Sequence, residues 1–312
     1  MGRHDPCTFA GMEPIPKLVP PAWLADHLGD ADLRILDATV QITPDFQITS
    51  GREQWKKEHV PGATFADLLE LSSPTAPPFT FTWPDVQWFA AKMGQLGIGP
   101  GARVVLYDAR ENMWAARLWW MLRAFGFDDA AVLDGGWTSW KLAKLRTCDK
   151  PCSYRPTTFV ARPREGLVVD KHEVLAAIED PKTCIVSALG RKSHRGDVNE
   201  YGRPGHIPGA CNVSAWRIID KETQRYRPVD ELRALFGEVL GAERIITYCG
   251  AGMAGASDAF ALSLLGHPRV ALYAGGMLEW SADPEMPLEL GDGPSTQARR
   301  TESSRSCGIR SS

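Results

Sequence analysis

Cys249 stands in the run Ile245-Ile246-Thr247-Tyr248-Cys249-Gly250-Ala251-Gly252-Met253-Ala254. The β-branched and apolar residues before it have the composition of a buried strand, the glycines after it form a tight turn, and Ala254 to Leu265 reads as a helix. A thiol at the end of a strand, with a helix N-terminus just beyond, faces backbone N–H groups and the positive end of the helix dipole. Both favour a thiolate over a thiol. Glycine at 250 and 252 lets the main chain curl around whatever the sulfur carries. Gly250, Ala251, Gly252, Met253 and Ala254 together make a loop of N–H donors suited to an anion on Cys249. The competing reading is a buried structural cysteine, and the rest of the chain bears on the choice.

The same segment occurs twice. Val104-Val105-Leu106-Tyr107-Asp108 matches Ile245-Ile246-Thr247-Tyr248-Cys249, and each run leads through a helical pattern to Phe125-Gly126 or Leu265-Gly266. Ala131-Val132-Leu133-Asp134-Gly135-Gly136-Trp137 then matches Ala271-Leu272-Tyr273-Ala274-Gly275-Gly276-Met277, closed by Trp140 and Trp280. Upstream, His59-Val60-Pro61-Gly62-Ala63 pairs with His206-Ile207-Pro208-Gly209-Ala210, and Ile35-Leu36-Asp37-Ala38 with Ile185-Val186-Ser187-Ala188. Four landmarks in one order at a nearly constant offset indicate a duplicated domain rather than a solenoid unit. The second copy has Cys249 where the first has Asp108, so thiol chemistry belongs to the second.

Length and composition agree. A chain of 312 residues is long enough for two domains, and its eleven tryptophans and 44% apolar residues suffice for two cores. No window is apolar for the length of a membrane span, and the stretch Met1 to Pro21 is proline-rich with no apolar core of a secretory signal. A net charge of −3 gives no reason to expect nucleic acid or an anionic membrane surface as a partner. Seven scattered cysteines, an odd number, point to a reducing compartment rather than a disulfide framework, hence to a cytoplasmic protein.

The elements that must position the thiol follow from patterning. Short apolar runs alternate with helical patterns, the signature of α/β domains with mainly parallel sheets. Strands are expected at 34–38, 103–107 and 130–133 in the first copy and at 183–188, 244–248 and 270–273 in the second. Helices are expected at 85–96 and 114–125, then at 170–178, 229–240 and 254–265. Ligands gather at the carboxyl ends of the strands of such sheets, where Cys249 falls. The expected organisation is a first domain over 15–145, a linker over 146–164 with prolines at 151, 156 and 163, and a second domain over 165–290. A Ser-, Arg- and Gly-rich tail over 291–312 has no apolar period and is expected to be disordered.

These features resemble the tandem-domain rhodanese family, the thiosulfate and 3-mercaptopyruvate sulfurtransferases. The resemblance runs from about Lys17 to Leu290. It rests on Glu58-His59-Val60-Pro61-Gly62-Ala63 followed by Phe65-Ala66-Asp67, on Gly205-His206-Ile207-Pro208-Gly209-Ala210, on the Cys249 loop, and on Gly275-Gly276 followed by Trp280. It implies two tandem rhodanese-like domains, the first non-catalytic, with the active site near their interface. It further implies that Cys249 takes a sulfane sulfur from 3-mercaptopyruvate or thiosulfate and passes it from a persulfide to cyanide or a thiol, a thioredoxin-like protein among the candidate acceptors. No organic cofactor or metal enters such a reaction. Relatives that prefer thiosulfate carry basic residues in the loop; this loop has none and is of the mercaptopyruvate kind, with Ala251 where that kind usually has serine. His59 matches a histidine implicated in proton relay.

Arginine forks should hold the donor's carboxylate or sulfonate. Arg191, Arg195 and Arg203 precede Gly205-His206-Ile207-Pro208, and Arg203 lies near the second substrate arginine of mercaptopyruvate-type relatives. The first such arginine falls on Ser193, a departure for which Arg195 or Arg191 is expected to stand in from a shifted loop. The other view of these three is solvated loop charge. His206, in a His-x-Pro-Gly turn, reads as fixing the turn, and Asp37 and Ser187 as structural. Arg110 occupies the first copy's turn and is placed to reach across to the site. Cys148 and Cys152 lack a second pair or histidines at zinc spacing. A phosphatase of the Cys-x5-Arg type is excluded by Gly255 at the arginine's position. A non-catalytic rhodanese-like binding module is the alternative function.

Overall fold

The computed structural model describes residues 15–43, 47–72 and 81–294. The first sheet is built from β1 (Leu18–Val19), β2 (Leu33–Asp37), β5 (Ala63–Phe65), β6 (Arg103–Tyr107) and β7 (Ala130–Leu133) in the order β1-β7-β6-β2-β5. The second is built from β8 (Val168–Val169), β9 (Thr183–Ser187), β10 (Cys211–Asn212), β11 (Arg244–Tyr248) and β12 (Val270–Tyr273) in the order β10-β9-β11-β12-β8. Read from opposite ends the two orders are the same, and every pairing within both sheets is parallel. A short antiparallel hairpin, β3 (Val40–Ile42) with β4 (Ile48–Ser50), is added to the first copy alone. Each copy is therefore an α/β domain with a parallel sheet flanked by helices.

The central strands read as unbroken apolar runs because both faces of a parallel sheet are covered by helices, and β7, β9 and β12 are buried along their whole length. Duplicated side-chain bonds repeat the sheet's duplication. Tyr107 accepts the Val60 N–H at 3.3 Å and Tyr248 the Ile207 N–H at 3.1 Å. Trp140 and Trp280 donate to the carbonyls of Arg146 and Pro287.

The Met113–Ala124 and Met253–Leu264 helices pack against each other and join the two cores. Trp119 meets Phe260 edge-on at 4.8 Å across this contact. Among the described residues no helix is long and apolar enough to cross a membrane.

Several expectations need correction. The helix expected over 229–240 ends at Phe236, where Gly237 (φ 51°) breaks it and a 3₁₀ turn, Gly237–Gly241, continues. The segment 146–164, expected as a linker, lies along the first domain. The Tyr154 hydroxyl donates to the Gly62 carbonyl and accepts the Ile35 N–H. Phe159 is buried against Phe89, and the main chain bonds at Thr157, Arg162 and Arg164 to Gly94, Phe125 and Ala124. The edge strands β1, β5, β8 and β10 are too short to show a pattern in the sequence. The tail beyond 294 lies outside the described residues.

Candidate active site

Cys249 follows the last residue of β11 and is 4% exposed. Its main chain is fixed from the far side of the turn: Met277 N–H donates to the Cys249 carbonyl at 2.8 Å and Leu278 N–H to that of Gly250 at 3.0 Å. That approach requires glycine at 276, since a Cβ there would sit 2.3 Å from the Cys249 carbonyl. Gly136 stands in the same relation to the Asp108 carbonyl.

The sulfur accepts the Gly252 N–H at 3.1 Å. Gly252 caps the twelve-residue helix Met253–Leu264 at φ 83°, so the helix starts directly under the thiol. The first N–H groups of a helix have no carbonyl partner inside it, which leaves this end electropositive. The loop 250–254 therefore runs from the thiol into the start of this helix, with the Gly252 N–H on the sulfur. In the first copy a carboxylate fills this place. Asp108 accepts from Arg110 N–H at 2.7 Å and Ala115 N–H at 2.8 Å, and burial raises it to about 7. That turn is occupied by its own side chain, whereas the Cys249 turn is open on one side.

The open side is a cavity of about 320 Å³ between the two copies. The first copy contributes Ile42 and Ile48 of its hairpin together with Phe81, Arg110, Glu111, Met113 and Trp114. The second contributes Leu189, Tyr201, Trp216 and Leu278 around Cys249 and its loop. Among the described residues Arg110 is the one lysine or arginine on the wall. Its turn is held in place by the second copy: Glu111 N–H donates to Gln224 Oε1 and the Asn112 amide to the Gln224 carbonyl. Glu111 and Asn112 both have left-handed backbone, φ 62° and 57°, a conformation that persists when surrounding bonds fix it. The Tyr201 ring lies on Gly250, leaving no room for a Cβ there, and burial pushes its hydroxyl's pKa up.

The expected substrate arginines are not brought to this wall. Arg203 spends its guanidinium on the carbonyls of Ser281, Trp280, Asp283 and Met286. Arg195 pairs with Asp197 and Asp292, and Arg191 with Asp292. Ser193 is buried and donates to Glu200. His59 is also away from the cavity. Its ring stacks on Trp55, Nδ1 bonds the Trp55 carbonyl at 2.6 Å, and Nε2 lies 3.2 Å from the Lys150 carbonyl. The main chains of His59 and Cys148 bridge each other, as those of His206 and Glu289 do, so the two turn histidines are structural counterparts. His206 bonds the His194 carbonyl through Nδ1 and stacks on the His194 ring at 3.7 Å.

Arg110, expected to reach across from the first copy, lines this cavity, and Tyr201, Trp216 and Leu189 join it from loops with no periodic signal in the sequence. Among the described residues no cluster of histidine, cysteine, aspartate or glutamate is arranged to hold a metal ion. Cys148, Cys152, Cys184 and Cys211 lie away from the cavity wall.

Comparison with known proteins gives a consistent result. The model of the rhodanese-like domain matches residues 20–143 and again 171–283. A probable 3-mercaptopyruvate sulfurtransferase of Pseudomonas aeruginosa is 33% identical over 285 residues, covering 88% of this chain and 99% of that one. The thiosulfate sulfurtransferase of Rattus norvegicus is 30% identical over 288 residues, covering 88% and 95%. Among solved structures, SseA of Escherichia coli, described as a 3-mercaptopyruvate sulfotransferase with the rhodanese fold, superposes with a TM-score of 0.75 at 31% identity. It covers 84% of this chain and 99% of its own.

Proposed function

This chain belongs to the rhodanese-like family and is a sulfurtransferase, and from that premise we propose that Cys249 is its nucleophile and 3-mercaptopyruvate its preferred donor. The observation that carries the reading is a thiol at a strand end, its sulfur bonded by Gly252 N–H, opening onto a cavity shared by both copies.

In the first half-reaction the Cys249 thiolate attacks the donor's sulfur. The carbon–sulfur bond breaks, its electron pair passes to the carbon as an enolate, and the thiol proton of the donor ends on that carbon to give pyruvate. Cys249 is left as a persulfide anion. With thiosulfate the same attack breaks the sulfur–sulfur bond and releases sulfite. In the second half-reaction a thiolate or cyanide attacks the outer sulfur and Cys249 leaves as thiolate. The N–H donors of 250–254 face the outer sulfur in both halves and need no reorganisation between them.

Arg110 is the group on the wall able to take the donor's carboxylate, a role the sequence suggested for Arg191, Arg195 and Arg203, whose guanidinium groups are engaged elsewhere. Preference for 3-mercaptopyruvate follows from charge. The loop after Cys249 has no basic residue, and one arginine suits a monoanion better than the dianionic thiosulfate. The acceptor is a small thiol, cyanide or the exposed thiol of a thioredoxin-like protein.

The test is the rate of thiocyanate formation from cyanide with each donor, for the wild type and Cys249→Ser. A hydroxyl cannot carry the sulfane sulfur, so the variant is expected to be inactive with both donors while melting like the wild type. Retained transfer in Cys249→Ser sinks the assignment of the nucleophile, and a higher kcat/KM for thiosulfate reverses the donor preference.

A further inference from the structure

A buried cation lies under the thiol turn. Arg117, in the middle of the Met113–Ala124 helix of the first copy, is 2% exposed. Its Nη2 donates to the Phe81 carbonyl at 3.0 Å, and the guanidinium lies 4.7 Å from the centre of the Trp83 ring. Nη1 has no hydrogen-bond partner among the described residues. Leaving part of a buried charge unpaired is among the more destabilising arrangements a protein tolerates, so what faces that edge matters.

Gly252 faces it. A Cβ on Gly252 would stand 2.8 Å from Arg117 Nη1, so the guanidinium edge packs directly on this residue's backbone. The same Gly252 donates its N–H to Cys249 Sγ at 3.1 Å. The unpaired edge of the cation therefore rests against the residue that holds the sulfur. Cys249 is the ionisable group whose field acts on Arg117, opposing the burial that lowers the guanidinium to about 10 and leaves it charged at neutral pH.

The duplication supplies a control. The helices begin at Met113 and Met253, so the counterpart of Arg117 is Ser257, which is buried and neutral and bonds the Tyr226 hydroxyl at 3.0 Å. The helix of the thiol-free copy carries a cation at this place and the helix of the thiol-bearing copy does not.

We propose that Arg117 is a positioning residue which, acting through Gly252 from the copy without the thiol, stabilises Cys249 as thiolate and then as persulfide anion, the sulfur's charge serving as the guanidinium's missing counter-ion. This rests on Cys249 being the nucleophile. It gives the first copy a part in the chemistry besides forming one wall of the cavity. The other groups facing Cys249 are Tyr201 and Tyr248, whose hydroxyls burial keeps protonated, and Arg110 and Glu111 across the cavity.

The test follows the alkylation rate of Cys249 by iodoacetamide against pH, read on its own peptide by mass spectrometry, in the full-length wild type and in Arg117→Met, Arg117→Gln and Arg117→Lys. Each variant is first checked for a native melting transition. The neutral variants are expected to move the midpoint of the profile up by about one pH unit, the low end of what a nearby opposite charge does, and to alkylate about tenfold more slowly at neutral pH. Arg117→Lys, which keeps the charge, is expected to restore most of the wild-type profile. An unmoved midpoint in a folded neutral variant overturns the proposal, because loss of packing alone would alter stability without shifting the titration. If neither neutral variant folds, the wild-type midpoint decides. A value at or above that of free cysteine overturns the proposal, and a lower value shared by Arg117→Lys supports it. Failure of the parent reading is seen separately, as absence of a sulfur adduct on wild-type Cys249 after incubation with 3-mercaptopyruvate, and the alkylation profiles still decide what Arg117 does to the thiol.

Discussion

Cys249 and Asp108 end equivalent strands, and they differ in how much of the turn each uses. The Asp108 carboxylate has two oxygens and takes two N–H groups of its own turn, which closes it. A sulfur takes one, from Gly252, and the helix N-terminus behind it stays open to the cavity. The wall opposite is largely apolar apart from Arg110 and Glu111, so the Arg110 guanidinium carries unusual weight: a hydrogen bond to a charged group contributes about 1.5–3 kcal/mol. Arg110→Ala is therefore expected to lower kcat/KM for 3-mercaptopyruvate by roughly ten- to a hundredfold, mostly through KM. Steady-state kinetics with cyanide in excess measures this, and an unchanged KM would remove Arg110 from donor binding.

Among the elements, the short Arg191–Arg195 helix is fixed in place by the residues expected to bind substrate. Arg191 and Arg195 both clasp Asp292, and His194 stacks on His206 while its Nε2 bonds the Asp292 carbonyl. Burial, assisted by repulsion from His206, lowers His194 from 6.5 to about 4. A histidine depressed in the folded state contributes stability that is fully present above its unfolded value, and loses it as pH falls through the folded one. Melting temperature is therefore expected to fall between pH 6.5 and 4. His194→Gln, unable to titrate, is expected to show a shallower slope over the same window in a thermal scan. An equal slope would place the acid sensitivity elsewhere.

On the scale of the whole molecule, the Met253–Leu264 helix binds the copies together. It is buried on nearly all sides, one face on β11 and β12 and the other on Met113–Ala124. A helix buried on nearly every side has no face suited to water. The second copy expressed alone, residues 165–290, is expected to expose that face, lose Arg117 and half of the cavity wall, and form aggregates or fail to fold. Size-exclusion chromatography and circular dichroism of the fragment test this, and a monomeric, folded, active fragment would show that the first copy contributes nothing essential.

The sequence alone determined the duplication, the sheet class, the central strands and the place of Cys249 between a strand and a helix. Each of these rests on local pattern: β-branched runs, glycine turns and a repeat in which Asp108 replaces the thiol. Arg110 was legible for the same reason, being the charged intruder in a turn whose counterpart is neutral. The roles of the other charges were not legible. Arg203 precedes the right turn, but four carbonyls of the 280–286 stretch claim its donors, a competition visible only once the chain has folded back on itself. His59 carries a motif's signature, yet its ring is engaged by the carbonyls of Trp55 and Lys150. Arg117 is one of two basic residues in a tryptophan-rich helix that reads as core. Only the packing of that helix on its counterpart brings a buried guanidinium against Gly252, because proximity between residues far apart in sequence is set by how whole elements pack, and no local pattern records it.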